Sequence, residues 1–400
     1  MCQEMRSVVA GLVAILTACT PFSPPRVFPP EAEFPGFMEY PNATVIMMHG
    51  MCHHDEEWIR HSLKQFRKHL KLTGADAVVV WQSKEANGVK LYKTELTGPN
   101  NRVRFYAIVF SGVTQPIKQN ALCANVSSKT ASCDFEPLYN RPQAAANRIL
   151  KNGLMNECLS DAVIYLGSTG REIRAGVRGA IAYAADDTRQ QPAYSDAPTV
   201  LIAESLGSKI LADSIFCQPG KAMRLVDKQR VLDRQVVEDL ITHQLATTTQ
   251  VFLLANQIPL LNLAFDGETC TVPAAYRSLE KTVGKLGTFQ AFIEWINNNK
   301  RDLPAVRAKA TRAGENADVV AFTDPNDVLS YELSKDDLDV AGLTNIAVSN
   351  GLTLLWLLEN PYTAHTTYSG NRDVIDFMGC GKAKDSLRAR QCRVENDTNP

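Results

Sequence analysis

The chain has 400 residues, a formal net charge of −1 and 45% hydrophobic residues. A near-neutral balance leaves no electrostatic footprint for nucleic acid, and this apolar content is too high for intrinsic disorder. What remains is a globular chain, long for one simple domain yet within reach of a single elaborated α/β domain.

The first residues, MCQEMRSVVAGLVAILTACT, set Arg6 ahead of an apolar run from Val8 to Leu16. That run is too short for a stable membrane span and has the layout of a cleaved signal. Met5 is an alternative start, which would remove Glu4 from the basic region. Leu16-Thr17-Ala18-Cys19 resembles the bacterial lipobox, which implies removal of residues 1–18 and acylation of Cys19. Residues 19–41 follow as an expected proline-rich tether, with seven prolines between Thr20 and Pro41 and no strand or helix period. Phe22, Phe28, Phe34 and Phe37 leave open an ordered arm lying along the domain. The expected location is the bacterial cell envelope, the outer membrane above all, with contact to the membrane through the lipid anchor. Beyond Cys2 and Cys19, eight cysteines remain. In an exported chain that even number suggests disulfides, and Cys123 with Cys133 is the first pair expected. No C-x-x-C spacing argues for zinc, and no metal is expected.

The domain is expected over residues 42–381. Thr44 to Met48 is a continuous apolar run, as in a strand buried on both faces, and it ends in His49-Gly50-Met51. Asp55 to Leu72 has helical period through Trp58, Ile59, Leu63, Phe66 and Leu70, and Ala75 to Trp81 reads as the next strand. Strand, helix and strand together call for a parallel sheet. Lys90 to Leu96 and Arg102 to Phe110 alternate around Gly98-Pro99-Asn100-Asn101, the pattern of an antiparallel hairpin. A polar excursion runs from Gln115 to Arg141, and Gln143 to Leu159 looks helical. Ala162 to Leu166 (AVIYL) reads as a buried strand, with Gly167-Ser168-Thr169-Gly170 opening a helix to about residue 185. That turn lacks the further elements of a phosphate-binding motif.

Ala197 to Phe216 reads as a buried strand, a sharp turn with Ser205 at its apex, and a helix. Small neighbours, Ala203 and Gly207, stand where the backbone must double back. Arg224 to Leu240 is amphipathic, Gln250 to Ala255 is another buried run, and Asp318 to Thr323 the next. Between those two runs, residues 262–316 include a helix-like piece, Thr288 to Asn297, and form either a cap or surface packing. Asp324 to Tyr331 is an abrupt turn with two carboxylates. Ile346 to Ser349 with Leu352 to Leu357 can supply a last strand region. His365 stands in a polar loop, Asn360 to Arg372, ahead of a terminal helix, Asp373 to Met378. Residues 382–400 read as a fraying polar tail.

Serine hydrolysis needs a hydroxyl, an imidazole that accepts its proton, and a carboxylate that orients the imidazole. Ser205, Asp327 and His365 occur in the chain order Ser, Asp, His. With the A-E-S-L-G elbow, this order resembles the α/β-hydrolase superfamily over most of residues 44–381. The resemblance implies a mostly parallel sheet flanked by helices, here with an antiparallel hairpin excursion and a possible cap insertion. It also implies backbone N–H groups of Met51 and Leu206 as the oxyanion site, by likeness of His49-Gly50 to the oxyanion loop, with His49 structural. Spacing from the strand end favours Asp327 as the acid over the alternative, Asp324, whose expected role is to shape the turn before Pro325. Ala203 departs from the usual first glycine of the elbow, and the loop after Gly50 is not glycine-rich.

The run Cys52-His53-His54-Asp55 suggests a metal cluster by composition. Adjacent histidines at a helix start diverge, however, and no second ligand set follows. His61 and His69 fit the solvated side of the first helix, and His243 sits after a helix and before a strand. The resulting expectation is a lipid-anchored serine hydrolase acting on esters, envelope lipids among them, with no cofactor. The alternatives are a non-catalytic envelope lipoprotein that keeps the fold for binding or assembly, and an acyltransferase or peptidase using the same three residues. Oligomeric state is not legible.

Overall fold

The computed structural model describes residues 19–20, 23–83, 88–122, 144, 147, 150–217, 225–227, 230–232, 234–264, 287–299, 316–334, 342–351, 353–354 and 359–384. Its strands are β1 Cys19–Thr20, β2 Arg26–Phe28, β3 Asn42–Met48, β4 Val78–Gln82, β5 Lys90–Thr97, β6 Arg102–Val109 and β7 Thr199–Glu204. They continue with β8 Leu225–Asp227, β9 Arg230–Leu232, β10 Thr248–Leu254, β11 Asp318–Thr323, β12 Leu343–Ala347 and β13 Thr353–Leu354. The helices are α1 Glu56–Leu70, α2 Ser111–Leu122, a π-helix Leu150–Leu159, α3 Ser160–Leu166, α4 Gly170–Arg189 and α5 Leu206–Phe216. After them come α6 Arg234–Ala246, α7 Ile258–Leu261, α8 Gly287–Asn299, α9 Pro361–Thr366 and α10 Arg372–Cys380.

Nine strands form one mixed sheet in the order β2-β12-β11-β10-β7-β3-β6-β5-β4. Its centre, from β12 to β6, is parallel, while β2, β5 and β4 pair antiparallel at the two ends. The central strands carry continuous apolar runs because both faces are covered. Side chains of each strand alternate between two cores. Met48, Leu201, Ala203 and Leu253 face α3 to α6 and α8, whereas Val45, Met47, Ile202 and Phe252 face α1 and α10. Helix α1 starts where Asp55 accepts the Glu57 N–H at 2.8 Å. It buries Ile59, Leu63, Phe66 and Leu70, a stripe at helical spacing.

Several expectations need correction. Ala162 to Leu166 is not a strand but the body of α3, burying Ala162 and Tyr165 while Val163 is 72% exposed. A short apolar run alone does not separate a strand from one turn of buried helix. The strand expected over Ala75–Trp81 is β4, and it does not return parallel beside β3. It lies antiparallel to β5 at the sheet edge, with Val78 and Val79 exposed, and the strand parallel to β3 on that side is β6. Arg224 to Leu240 is divided between the hairpin β8–β9 and α6. Lys382 is no part of a fraying tail: its buried ammonium donates to the carbonyls of Pro30 at 2.7 Å and Ala32 at 2.6 Å.

Those carbonyls belong to the segment read as a tether. From Arg26 it joins the sheet through β2, and it then buries Phe34, Phe37 and Tyr40. Phe34 packs on Phe252 and Phe377, and Phe37 on Phe66. In the 262–316 insertion, α8 packs Phe289, Phe292, Ile293 and Ile296 into the core that holds Leu211 and Ile215 of α5. Cys123 and Cys133 lie outside the described residues. Cys52 is bonded to Cys158, and Cys217 and Cys380 are also disulfide-bonded. Among the described residues, no helix is long and apolar enough to cross a membrane. If the arm is part of the fold, Phe34→Ala lowers the free energy of unfolding by about 3–5 kcal/mol in urea titrations, whereas a free tether leaves it unchanged.

Candidate active site

The turn between β7 and α5 is tight because two other backbones press against it. Ser205 has φ 52 and ψ −124, a conformation costly for a residue with a side chain. It is held there by its N–H, which donates to Leu254 O of β10 at 2.7 Å, and by its carbonyl, which accepts the Ser208 N–H and hydroxyl. A Cβ on Gly207 would stand 2.4 Å from His49 O, and one on Gly50 would stand 2.5 Å from Ser205 Cβ and 2.6 Å from Glu204 O. Glycine at both positions is therefore what lets the loop after β3 lie directly on the serine turn.

His365 reaches this turn from α9, and it sits in that short helix rather than in a loop. Asn360 caps the helix by accepting the Tyr362 N–H at 3.0 Å. His365 Nε2 is 3.0 Å from Ser205 Oγ, and Nδ1 is 2.9 Å from both carboxylate oxygens of Asp327. A carboxylate at Nδ1 keeps the proton on that nitrogen, so Nε2 accepts from the serine hydroxyl. All three side chains are buried. Asp327 also accepts the Tyr368 hydroxyl at 3.0 Å and the Leu329 N–H at 3.0 Å. The three residues anticipated as a set from chain order are thus brought together. Chemically, the arrangement lets an imidazole take a proton from a serine hydroxyl while a fixed carboxylate faces the resulting cation.

Asp324, the alternative acid, does not meet the imidazole in this hydrogen-bond set. Its carboxylate accepts the N–H groups of Asn326 at 2.9 Å and Asn350 at 2.5 Å. Burial raises its pKa, and those two N–H groups act against the rise. Asn350 in turn donates to Ala364 O at 2.8 Å, one residue before His365, and accepts from Asn371 at 2.8 Å. Asp324, Asn350 and Asn371 therefore tie the ends of β11 and β12 to α9 and α10. Neither Asn350 nor Tyr368 was found by sequence reasoning, since a polar residue in a polar loop carries no periodic signal.

Beside the serine turn lies an unexpected group of neutral side chains, with His49 and Glu204 buried and His54 and Trp58 half-buried. His49 accepts the Phe110 N–H on Nε2 at 2.9 Å, which leaves Nδ1 to donate to Gly50 O at 2.7 Å. Its ring stacks between Phe110 and His54, and Trp58 meets both imidazoles edge-on. Burial holds His49 well below its ordinary range and brings His54 down to about 4. Burial also pushes the Glu204 carboxyl up to about 8, with Trp58 drawing it back. The run from Cys52 to Asp55 does not converge on one point: Cys52 is in a disulfide, His54 is in the stack, and His53 lies 3.7 Å from Asp55. Among the described residues, no group of three or more His, Cys, Asp or Glu is arranged to hold a metal.

Comparison with known proteins adds little. No protein family matches the chain, and no curated protein does. Among solved structures, acetyl xylan esterase 1 from Thermoanaerobacterium sp. JW/SL YS485 is similar at 9% identity, over 74% of this chain and 84% of that one, with a TM-score of 0.17. At that score the likeness carries no weight for fold or activity.

Glu204 gives a pH prediction. Its folded pKa, about 8, lies above the ordinary 4.5, so the folded state holds the extra proton between those values and the associated stability is lost as pH rises through them. His49 and His54, lowered on folding, act in the opposite direction and below their ordinary 6.5. Glu204→Gln removes the first contribution alone. In urea titrations the variant therefore gains on the wild type between pH 5 and pH 8, by an amount on the order of a few kcal/mol. Parallel curves would show that Glu204 is ionised in the folded protein.

Proposed function

We propose that this protein is a serine hydrolase that cleaves carboxylic esters through an acyl-enzyme. The observation that carries the reading is the hydrogen-bonded chain Ser205 Oγ, His365 Nε2, His365 Nδ1, Asp327. In this scheme Ser205 attacks the ester carbonyl while Nε2 takes its proton, and Asp327 stabilises the imidazolium. His365 then gives the proton to the leaving alcohol. Water, activated by the same imidazole, releases the acid. Negative charge on the tetrahedral oxygen rests on the N–H of Leu206, at the start of α5, and of Met51, which follows the glycine packed on Ser205. The chemistry assigned to these residues needs no cofactor.

Support for an apolar acyl group comes from Val328 and Tyr362, exposed apolar side chains beside Asp327 and on the His365 helix. With Cys19 read as a lipidated residue, esters in the envelope membrane are the proposed substrates.

A fluorophosphonate probe is expected to label the intact protein, and Ser205→Ala to abolish labelling. Hydrolysis of p-nitrophenyl acetate should fall by roughly 10⁴-fold or more in Ser205→Ala and about 10⁴-fold in Asp327→Asn, since the amide favours the wrong tautomer. Asp324→Asn should fall far less, its effect appearing chiefly as lower stability. No labelling of the folded wild type would end the esterase proposal. For the anchor, Cys19→Ala should move the protein from the membrane to the soluble fraction of the envelope, and unchanged fractionation would refute lipidation at that residue.

A further inference from the structure

The loop that follows β3 is also held by an element whose sequence reads as ordinary helix. That element is the π-helix Leu150–Leu159, a rare conformation, continued by α3. It carries Cys158, which is fully buried and bonded to Cys52, 106 residues earlier in the chain. Cys52 is the residue after Met51 and stands at φ 76, a left-handed backbone that a side chain adopts only under constraint.

Other contacts hold the same few residues. Ser111 Oγ at the start of α2 accepts the His54 N–H at 3.0 Å and lies 3.4 Å from Cys52 O, and His54 Nδ1 donates to that carbonyl at 3.1 Å. Asp161 of α3 is hydrogen-bonded by the Cys52 N–H and pairs with Lys118 of α2 at 3.0 Å, both side chains being fully buried. Lys118 also donates to Glu157 O within the π-helix at 2.8 Å. Near the other end of that helix, a Cβ on Gly153 would stand 3.8 Å from the Tyr362 ring, three residues before His365 on α9. One element thus holds the loop after β3 and runs close to the helix that bears the imidazole.

We propose that the Cys52–Cys158 disulfide, with the π-helix that carries it, positions the Met51 backbone N–H as an oxyanion donor beside Ser205. The inference rests on the esterase reading above. Met51 has one neighbour, Gly50, packed so closely on the Glu204 backbone and Ser205 Cβ that no side chain fits there. Its other neighbour is pinned by a covalent bond. A donor contributes to catalysis only when it is already aimed at the oxygen on which charge develops, so fixing both neighbours is what the reaction requires. A disulfide that served only to restrict the unfolded chain would act on stability and leave turnover alone.

The test is the full-length Cys52→Ala/Cys158→Ala protein, assayed at 15 °C on p-nitrophenyl acetate beside the wild type, with circular dichroism to verify folding. Where that variant does not fold, Cys52→Ala/Cys158→Val refills the apolar volume on the helix side, keeps a β-branched residue away from φ 76, and takes its place. The expected result is a kcat about 10²-fold lower with KM within about twofold, the signature of a lost transition-state contact. Amide exchange over residues 50–54 is expected to accelerate at the same time. A folded variant with wild-type kcat overturns the inference and leaves the esterase reading intact. If the wild type itself shows no turnover, the esterase reading fails, the oxyanion role falls with it, and exchange at Met51 decides the mechanical part: an unchanged rate overturns that too.

Discussion

The site depends on one close approach of two backbones. The turn from β7 into α5 and the loop leaving β3 touch through Gly50 and Gly207, with no room for a side chain at either point. That contact follows from the sheet, because β3 and β7 are parallel neighbours in register, Met48 opposite Ala203, and so end at the same level. Both chains must then turn within one residue of each other. Ser205 takes the unfavourable φ because its N–H is drawn to Leu254 at the end of the next parallel strand.

The acid and the base follow from the other half of the sheet. β11 and β12 end on the same edge as β7, so the Asp327 turn and the segment leading to His365 arrive where the serine already stands. What aligns them is a polar network with few degrees of freedom. Asp324, Asn350 and Asn371 join the two loops, while Tyr368 donates to Asp327 and accepts the Asp324 N–H at 2.7 Å. Buried groups this densely paired are satisfied in one arrangement, which holds the imidazole orientation.

Opposite Ser205 the arrangement is of another kind. His49, His54, Trp58 and Phe110 are packed as apolar surfaces, with the imidazoles held neutral by burial, and Glu204 shares the same low-dielectric region. Composition invites a metal reading for the adjoining run from Cys52 to Asp55. In the fold His54 is stacked on His49 and Cys52 is bonded to Cys158, so the run does not converge on one point.

The sequence by itself determined the elements whose signal is local. Continuous apolar runs marked β3, β7, β10 and β11, a 3.6-residue period marked α1, and alternation around Gly98 to Asn101 marked the β5–β6 hairpin. The small residues beside Ser205 marked the serine turn, and the chain order Ser, Asp, His picked out the two other side chains that meet it. Tertiary structure alone decided the rest. AVIYL became helix because its burial is one-sided, β4 took the edge because its partner is β5, and the aromatic arm packed because Phe66, Phe252 and Phe377 form a surface assembled from distant segments. Asn350, Tyr368 and the Cys52–Cys158 bond likewise acquire their meaning only when residues far apart in the chain are brought within a few ångströms. No periodicity or propensity encodes that proximity, because it is a property of the folded sheet and its covering helices.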